Sequence, residues 1–386
     1  MKHFTLLLVF AVGLLGPQAL SAANYAVGTC KPNVPSYPTI SAAVGTVPPG
    51  STVLVCPGAY AEQVTITQSL TLEGIKIGSG GRAVIDVPSG GLTTSVTSVV
   101  PGKTVYPQVL VTATAGPVNI TNITVDGTNN DLDGSAYVAG IFYGSGSYGT
   151  VDHVTAREQI DDGEGAGIWA ENGNATMDTV TIENCDVHDV DRWGIFVAST
   201  QTPATLDATI QGNDVQGGPA GPIEGIYSFG GAGTITNNVV TDTLIYGIFG
   251  YGFTGSILNN TITNTEANSN ASGMDLLGSG EVVKGNTITN NNGSSSAGIL
   301  INDSTATIEE NKITNSNVGI EFNCNTSTVS ANAITDAAIA IDQVPSGLTV
   351  TNTYYDVDTI RTECTSDAAA KRAAIAARLK KLAGIP

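Results

Sequence analysis

The sequence predicts an all-β fold, a right-handed parallel β-helix (solenoid) with a short helical cap at each end. A phrase of the form Gly-Ile-x-apolar recurs every 21 to 31 residues, and from Gly225 to Gly319 an Asn follows each Gly by 13 residues. Such a period, built from β-branched runs with Gly and Asn at the corners, is typical of a solenoid. Leucine is too scarce for a leucine-rich horseshoe, and no helical pattern fits between the strands.

The first 23 residues predict a secretory signal peptide. Lys2 precedes an apolar run over residues 4–15, and small residues follow at 21–23. This stretch is too short for a membrane span, and no later stretch is long enough. We therefore expect a secreted protein, extracellular or periplasmic. The β-helix domain is predicted over residues 24–366, and residues 24–60 form its N-terminal cap and first coil.

A short helix is expected to cover the first coil, where unpaired strand edges would otherwise attract another chain. Ser36 or Thr39 can cap this helix. Four apolar residues share one helical face: Ile40, Ala43, Val44 and Val47. Pro48-Pro49-Gly50 ends the helix, and strands are predicted from Thr52 onward.

A second capping helix is predicted over residues 367–386, with Asp367 as its N-cap. Ile375, Leu379 and Leu382 form one apolar stripe on this basic segment. The expected role is a lid on the last coil. The alternative is a helix that binds a partner or makes an oligomer.

The acidic composition restricts the partners. Lys and Arg number 15 against 34 Asp and Glu, which gives a net charge of −19. Such a charge argues against nucleic acid and anionic membranes. It also argues against an acidic polysaccharide unless a cation such as Ca²⁺ bridges the two. A monomer is expected.

Five cysteines are an odd number for an oxidising compartment. Cys30 and Cys56 flank the first segment and can pair, and Cys324 and Cys364 can pin the tail to the last coils. Cys185 remains and is expected to be a buried, unreactive thiol rather than a nucleophile.

The recurring Asn position is predicted to point inward and to form a ladder of side-chain amides through successive coils. Its members are Asn213, Asn238, Asn260, Asn286, Asn311, Asn332 and Asn352, with Asp152 and Cys185 expected in the same position of earlier coils. These residues are assigned a structural role.

The N-terminal text carries a family resemblance. The phrase YPTISAAV, then VPPGSTVLVCPGAY, then Gly-Ile and Asn-x-Ile coils resembles secreted right-handed β-helix proteins of the pectate-lyase-like superfold. That superfold includes lyases, hydrolases, esterases, epimerases and non-catalytic proteins, so the resemblance implies an architecture and no single activity.

Aromatic residues follow the Gly-Ile pair and are predicted to point outward, because side chains alternate along a strand. The predicted substrate-binding set is Phe142, Trp169, Phe196, Tyr227 and Phe249, with Tyr246 and Tyr251 beside them; Phe229 is a further outward ring. One interpretation is an exposed platform for sugar rings, for which Trp169→Ala would weaken glycan binding with little change in stability. The alternative is that the rings stack beneath a covering loop.

Charged residues in the returns that lead into these strands are the candidates for catalysis. They are Asp161, Asp162, His188, Asp189, Asp191, Arg192 and Glu224. A glycosidase would pair Asp161 or Asp162 with Asp189, Asp191 or Glu224. A lyase or epimerase would use His188, Tyr246 or Arg192 as base. Asp161, Asp162 and Glu164 are candidate calcium ligands, and no other cofactor is predicted.

The segment CDVHDVDRWGIF resembles the Asp-x-His-Asp element of β-helix alginate epimerases and lyases, at Asp186, His188 and Asp189. The Tyr-Gly-Phe that precedes that element in the epimerases is absent, and a hydrogen bond in a turn is the alternative role for His188. The function predicted overall is binding, with cleavage or modification, of an extracellular polysaccharide along an exposed groove. Lyase, epimerase and glycosidase all stay open. The alternative is a non-catalytic surface, adhesion or structural protein.

Overall fold

The structure is a computed structural model that describes residues 23–364, except 77–80, 113, 131, 133, 135, 218–223, 266–270, 279, 292, 294–295 and 303. The predicted signal peptide, apart from residue 23, and the capping helix predicted at 367–386 lie outside the described residues. Within the described ranges, no helix has the length and hydropathy needed to cross a membrane.

The first part of the chain holds the described helix and eleven strands. They are β1 (Asn24–Val27), β2 (Ser36–Tyr37), α1 (Ile40–Val44), β3 (Ser51–Val55), β4 (Gly58–Ala61), β5 (Val64–Ile66), β6 (Leu70–Gly74), β7 (Ala83–Asp86), β8 (Val96–Thr97), β9 (Thr104–Val111), β10 (Val118–Thr121) and β11 (Ile123–Asp126). Strand β8 pairs antiparallel with β9 and is the exception to an otherwise parallel set of pairings among the described strands.

The repeat region follows with strands in groups of three per coil. They are β12 (Tyr137–Tyr143), β13 (Gly149–Asp152), β14 (Thr155–Gln159), β15 (Gly165–Asn172), β16 (Asp178–Glu183), β17 (Asp186–Val190), β18 (Trp193–Ser199), β19 (Leu206–Gln211), β20 (Asp214–Gln216), β21 (Glu224–Phe229), β22 (Ala232–Thr236), β23 (Val239–Thr241), β24 (Tyr246–Tyr251), β25 (Thr254–Leu258), β26 (Thr261–Thr263), β27 (Ser272–Leu277), β28 (Val282–Lys284), β29 (Thr287–Asn291), β30 (Ala297–Asn302), β31 (Thr307–Glu309), β32 (Lys312–Glu321), β33 (Thr328–Val344) and β34 (Thr351–Glu363).

Pairing between equivalent strands of successive coils builds three parallel sheets, which confirms the right-handed parallel β-helix. Sheet I begins with β5 and β9 and continues with the strands that carry the Gly-Ile pair, or Gly-Met in β27: β12, β15, β18, β21, β24, β27 and β30. Sheet II runs from β1 and β3 through β6, β10, β13 and every third strand to β31. Sheet III runs from β4 through β7, β11, β14 and every third strand to β29. The long strands β32, β33 and β34 continue around the corners between sheets.

The glycine of each Gly-Ile pair is required by close packing between coils. A Cβ added at Gly194 would lie 2.6 Å from the carbonyl oxygen of Gly225 in the next coil, well inside van der Waals contact. The Ile that follows is buried in the main core, together with its counterparts Ile141, Ile168 and Ile226. The Gly-Ile phrase therefore fixes both the stacking distance and the inward face of sheet I.

The predicted asparagine ladder is confirmed. From Asn213 to Asn352, each side-chain amide donates to the side-chain oxygen of the next Asn at 2.9 to 3.0 Å. Cys185 extends the column, because its backbone N–H donates to Asn213 Oδ1. The expectation for Asp152 is wrong. Val154 occupies the ladder position in that coil. Its carbonyl oxygen accepts from Asp186 N in the next coil, just as the carbonyl oxygen of Cys185 accepts from Asp214 N.

The N-terminal helix and the cysteine pairs agree with the sequence. Thr39, not Ser36, is the N-cap, and its Oγ1 accepts from Ala42 N at 3.1 Å. Ile40, Ala43, Val44 and Val47 are buried against the first coils. Disulfides join Cys30 to Cys56 and Cys324 to Cys364, and Cys185 is a buried free thiol whose pKa burial raises to about 12. Disulfides are typical of proteins in oxidising compartments, which favours an extracellular or periplasmic location.

Candidate functional site

Two columns of outward side chains run across sheet I. The strand register aligns Phe142, Trp169, Phe196, Tyr227, Phe249 and Asp275, which we call the first outer column. Two residues further along the same strands lie Glu171, Ala198, Phe229, Tyr251 and Leu277, which we call the second outer column. Aromatic members of both columns pack in a hydrophobic cluster separate from the main core, so the predicted outward direction is confirmed.

The rings of the first outer column are outward but buried. Trp169 and Phe196 have no exposed surface, and Tyr227, the most exposed of the five, retains 6%. Trp169 lies 5.3 Å from Phe142 and 4.9 Å from Phe196 between ring centroids. The expectation of an exposed platform is therefore wrong for Phe142, Trp169, Phe196, Tyr227 and Phe249. The alternative, rings stacked beneath a cover, describes them.

Part of this cover comes from residues 96–105, which we call the strap. Strand β8 begins it, and the hairpin is closed by Ser98 N donating to Lys103 O at 2.9 Å. Val100 and Val105 pack in the same cluster as the rings. Residues 73–118 are rich in Gly, Ser, Thr and Pro with irregular spacing, so the sequence predicts loops and imperfect early coils there and does not predict the strap.

Glu171 anchors the strap. One carboxyl oxygen accepts from Val99 N at 2.9 Å, and the other accepts from Trp169 Nε1 at 3.1 Å. Burial raises the pKa of Glu171 to about 8, although these hydrogen bonds oppose the shift. A buried carboxyl group thus joins the strap to the first outer column.

Two more rings cover the column from the side. Tyr137 stacks on Trp193 with centroids 5.4 Å apart, and Trp193 stacks on Phe196 at 4.4 Å. The Arg192 guanidinium lies 4.8 Å above the Trp193 ring, a cation–π contact. Arg192 also pairs with Glu164 at 3.3 Å. The predicted base Arg192 and the predicted calcium ligand Glu164 therefore bind each other.

The acids Asp161 and Asp191 bond to the backbone of neighbouring turns. Asp161 Oδ1 accepts from Leu132 N and Gly134 N, each at 3.0 Å. Asp191 accepts from the backbone N–H groups of Asp161, Gly163 and Gly165 at 2.6 to 2.9 Å. Both carboxylates are buried. They tie one turn to the next, a role that requires no substrate.

The predicted calcium ligands are not brought together. Asp161 is bonded within the turns, Glu164 pairs with Arg192, and Asp162 is exposed. Across the described part of the chain, no group of three His, Cys, Asp or Glu side chains is placed to hold a metal ion.

His188 and Asp189 lie at a corner between sheets. His188 Nδ1 lies 2.7 Å from Asp189 Oδ2. Asp189 has a φ of 52°, in the left-handed region that Asn and Asp tolerate, and the corner residues Asp242 and Asn264 do the same. This geometry matches the turn alternative. A catalytic role for His188 or Asp189 stays a prediction.

A buried polar cluster continues the first outer column. Glu224 accepts from Trp193 Nε1 at 2.9 Å, and Asp275 Oδ1 accepts from Asn302 Nδ2 at 2.8 Å and bonds to the side chain of Tyr246. Burial raises the pKa of both Glu224 and Asp275 to about 7, and nearby Arg192 opposes the shift for Glu224. Glu224 and Tyr246 were predicted from the sequence as site residues, and Asp275 was not. The feature that could have indicated Asp275 is its position as the first acid in the aromatic column.

A pocket of about 540 Å³ opens at the second outer column. Phe229 and Tyr251 stack with centroids 4.7 Å apart and planes 2° from parallel, and both line the pocket. The strap residues 99–101 form a second wall, and the loop 199–204 forms a third. Phe229 is 8% exposed and Tyr251 is half-buried. Of the predicted substrate-binding residues, Tyr251 faces this opening, whereas the loop and the strap were not predicted as a site.

Comparison with known proteins gives one family and several structures. Residues 201–356 match the model of the family described as periplasmic copper-binding protein (NosD). No curated protein matches the sequence. The structure is similar to GH136 lacto-N-biosidase from Eubacterium ramulus, at 12% identity and a TM-score of 0.55, over 88% of this chain and 68% of that one. A GH87 alpha-1,3-glucanase from Streptomyces thermodiastaticus is also similar, at 15% identity and a TM-score of 0.51, over 91% of this chain and 67% of that one. DFA-IIIase from Arthrobacter chlorophenolicus is similar at 16% identity and a TM-score of 0.50, over 91% of this chain and 89% of that one.

These likenesses establish the fold alone: the chain is a right-handed parallel β-helix protein. The residues present do not fit copper. Residues 201–356 contain no histidine, one cysteine and one methionine. Cys324 is in a disulfide, and Met274 is buried in the main core. Copper sites in proteins use imidazole, thiolate and thioether ligands, which this part of the chain does not offer.

Proposed function

We propose that this protein binds a segment of an extracellular glycan in the pocket beside Phe229 and Tyr251. The observation that carries the proposal is the pair of nearly parallel stacked rings on the wall of an open pocket. Pockets of about 300–1,000 Å³ with aromatic walls and a few polar groups are the usual form of small-molecule sites. Tyrosine offers both an apolar face and a hydroxyl group, and this combination suits a sugar ring.

The polar groups around the rings support a sugar ligand. Thr200, Thr202 and Thr254, whose side chains carry hydroxyl groups, line the pocket. Gln201 also lines the pocket, and its amide nitrogen donates to Gly173 O at 2.8 Å, which fixes the side chain in place. A sugar hydroxyl can donate to or accept from any of these groups. Two structural relatives carry the names of glycan-acting enzymes, lacto-N-biosidase and alpha-1,3-glucanase, and this agrees with the proposal.

The proposal is one of binding without cleavage. The buried acids Glu224 and Asp275 are 7% and 0% exposed, and neither lines the pocket. A glycosidase needs two carboxyl groups that flank the scissile bond. The described residues of the pocket lining contain none. The acids and His188 predicted to be catalytic are not among the described residues that line this pocket, and their catalytic roles stay predictions.

Calorimetric titration with a panel of oligosaccharides tests the proposal. Tyr251→Ala should weaken binding about tenfold or more, since loss of ring stacking is worth about 1–3 kcal/mol in the analogous case of nucleic-acid bases. The matched control is Tyr355→Ala, because Tyr355 is 73% exposed on β34 and takes no part in the pocket. Equal affinities for the wild type and a folded Tyr251→Ala variant would contradict the proposal, and failure of every glycan would favour a structural role.

Mass spectrometry on the same glycans tests the absence of cleavage. After incubation in ¹⁸O-labelled, deuterated water, we expect neither labelled chain ends, nor unsaturated ends, nor deuterium at carbon. Labelled ends would show hydrolysis, unsaturated ends a lyase, and deuterium without cleavage an epimerase. Any of these three results would restore the enzyme hypothesis.

A further inference from the structure

We infer that the pocket selects a short, uncharged oligosaccharide segment and rejects uronate or sulfated chains. This inference rests on the proposed function, since it names the ligand class of the same pocket. It also separates two possibilities that the sequence alone left open, a neutral glycan and an acidic glycan bridged by calcium.

Among the residues that the structure describes, the pocket lining carries no carboxyl, ammonium, guanidinium or imidazole group. Its polar members are Ser, Thr and Gln, and the rest are Val, Pro, Ala, Gly, Phe and Tyr. Recognition of a carboxylate or sulfate normally uses Arg or Lys, whose charged hydrogen bonds are about twice as strong as neutral ones. A uronate that entered this pocket would lose hydration without gaining a cationic partner.

The net charge of the chain reinforces this selection, and neither Glu171 nor Lys103 lines the pocket. Glu171 lies behind Val99, is 3% exposed and is turned toward Trp169. Lys103 is on the strap two residues beyond Pro101, but it is exposed and does not line the pocket. The chain as a whole has a net charge of −19. The long-range field therefore repels a polyanion, and the local site offers nothing to offset the repulsion.

The shape of the pocket limits the length of the bound segment. Its volume of about 540 Å³ lies within the range of pockets that hold drug-sized molecules. The first outer column would extend the aromatic surface along the solenoid, but those rings are buried. The aromatic part of the pocket lining is therefore the Phe229–Tyr251 pair, which suits a few sugar residues rather than a long polymer track.

Titration with two matched sets of probes tests the inference. The neutral set is cello-, xylo-, manno- and galacto-tetraose, and the acidic set is tetragalacturonate and tetramannuronate. At least one neutral probe should bind at least tenfold more tightly than either acidic probe, with and without Ca²⁺. Its affinity should change less than twofold between 50 and 500 mM NaCl, because no ion pair is formed.

A charge placed on the pocket wall sharpens the test. Thr254→Lys should increase affinity for tetragalacturonate at least fivefold, in a salt-dependent manner. Thr261→Lys, on an exposed position of β26 away from the pocket, should not. Tighter binding of acidic probes to the wild type, with loss in Tyr251→Ala, would overturn the inference and leave the proposed function intact. Failure of all six probes would overturn both.

Discussion

The two outer columns of sheet I use the same strands and the same outward direction, yet they end in different environments. Trp169 and Phe196 in the first column are fully buried, whereas Phe229 and Tyr251 in the second line an open pocket. The strap and the Tyr137–Trp193 pair cover the first column. Outward direction on a β-helix is therefore a property of the strand, while exposure is a property of the segments that pack against it.

This difference divides the aromatic residues by role. The covered rings form a second hydrophobic core outside the coils, and fully burying each large apolar side chain contributes about 1.5–3 kcal/mol. Of the two pocket rings, Tyr251 is half-buried and keeps part of its surface for a ligand. The expected effects of substitution in the two columns are therefore opposite in kind.

The largest effect is expected for Trp169→Ala. It removes a fully buried ring that contacts Phe142 and Phe196 and donates to Glu171, so the free energy of unfolding should fall by about 3–5 kcal/mol. Denaturant unfolding measures this change. Met177→Ala, at a 57% exposed position just beyond the same strand, should change it by less than about 0.5 kcal/mol. If the Trp169→Ala variant kept wild-type stability and lost glycan binding, the Trp169 ring would be part of a glycan-binding platform and not of a packed core.

The next effect is on the pH dependence of stability. Glu171 has a pKa of about 8 in the folded protein, and Glu224 and Asp275 have pKa values of about 7. The folded chain therefore holds protons that the unfolded chain releases near pH 4 to 5. Stability should fall as the pH rises from about 4.5 to about 8, by up to about 1.4 kcal/mol per pH unit for each group.

Chemical denaturation at a series of pH values measures this slope. The triple variant Glu171→Gln, Glu224→Gln and Asp275→Asn should flatten the slope, whereas Asp207→Asn, at an exposed position on β19, should leave it unchanged. Asp126 has a lowered pKa, so its contribution to stability is lost as the pH falls. This opposite effect occurs only below about pH 4, the ordinary pKa range of Asp, and leaves the slope above that pH unchanged. Stability that rises from pH 5 to pH 8 would show that these acids are ionised in the folded protein.

A smaller effect is expected for Glu171→Ala, which breaks the link between the strap and the first column. Val99 N and Trp169 Nε1 each lose an acceptor, and an unsatisfied buried donor costs about 1–3 kcal/mol. Tryptophan fluorescence should become more accessible to a soluble quencher, because the cover is loosened. Unchanged quenching together with unchanged stability would show that the strap is held by its apolar contacts alone.

The smallest effect on stability is expected for Tyr251→Ala. The ring is half-buried and its main contact is the stack with Phe229, and aromatic pairs of this kind contribute about 0.5–1.5 kcal/mol. Thermal unfolding should show a minor shift while glycan binding is lost. A shift as large as that of Trp169→Ala would place Tyr251 in the core and remove the contrast between the columns.

Much of the fold could be predicted because the positions of Gly and Asn in each repeat indicate where successive coils stack and turn. Gly194 and its counterparts mark where the coils approach, and the Asn213–Asn352 ladder marks one inner corner. The candidate site was less predictable. Asp161 and Asp191 are acids in adjacent coils, as a catalytic pair would be. In the structure, however, they accept hydrogen bonds from backbone N–H groups of adjacent turns. No local pattern distinguishes these two uses of a carboxylate.

The sequence by itself determined the solenoid, the inward and outward faces of each strand, the N-terminal helix and both disulfide pairs. The solenoid, the strand faces and the helix depend on alternation, periodicity and turn chemistry, which are short-range properties of the chain, and the disulfide pairs were predicted from where the cysteines lie along the chain. Tertiary structure alone decided which outward rings are covered. The strap that covers Trp169 lies more than sixty residues earlier and outside the repeat, and its contacts form only when successive coils have stacked. The same packing left Phe229 and Tyr251 at the edge of the cover, where the pocket opens.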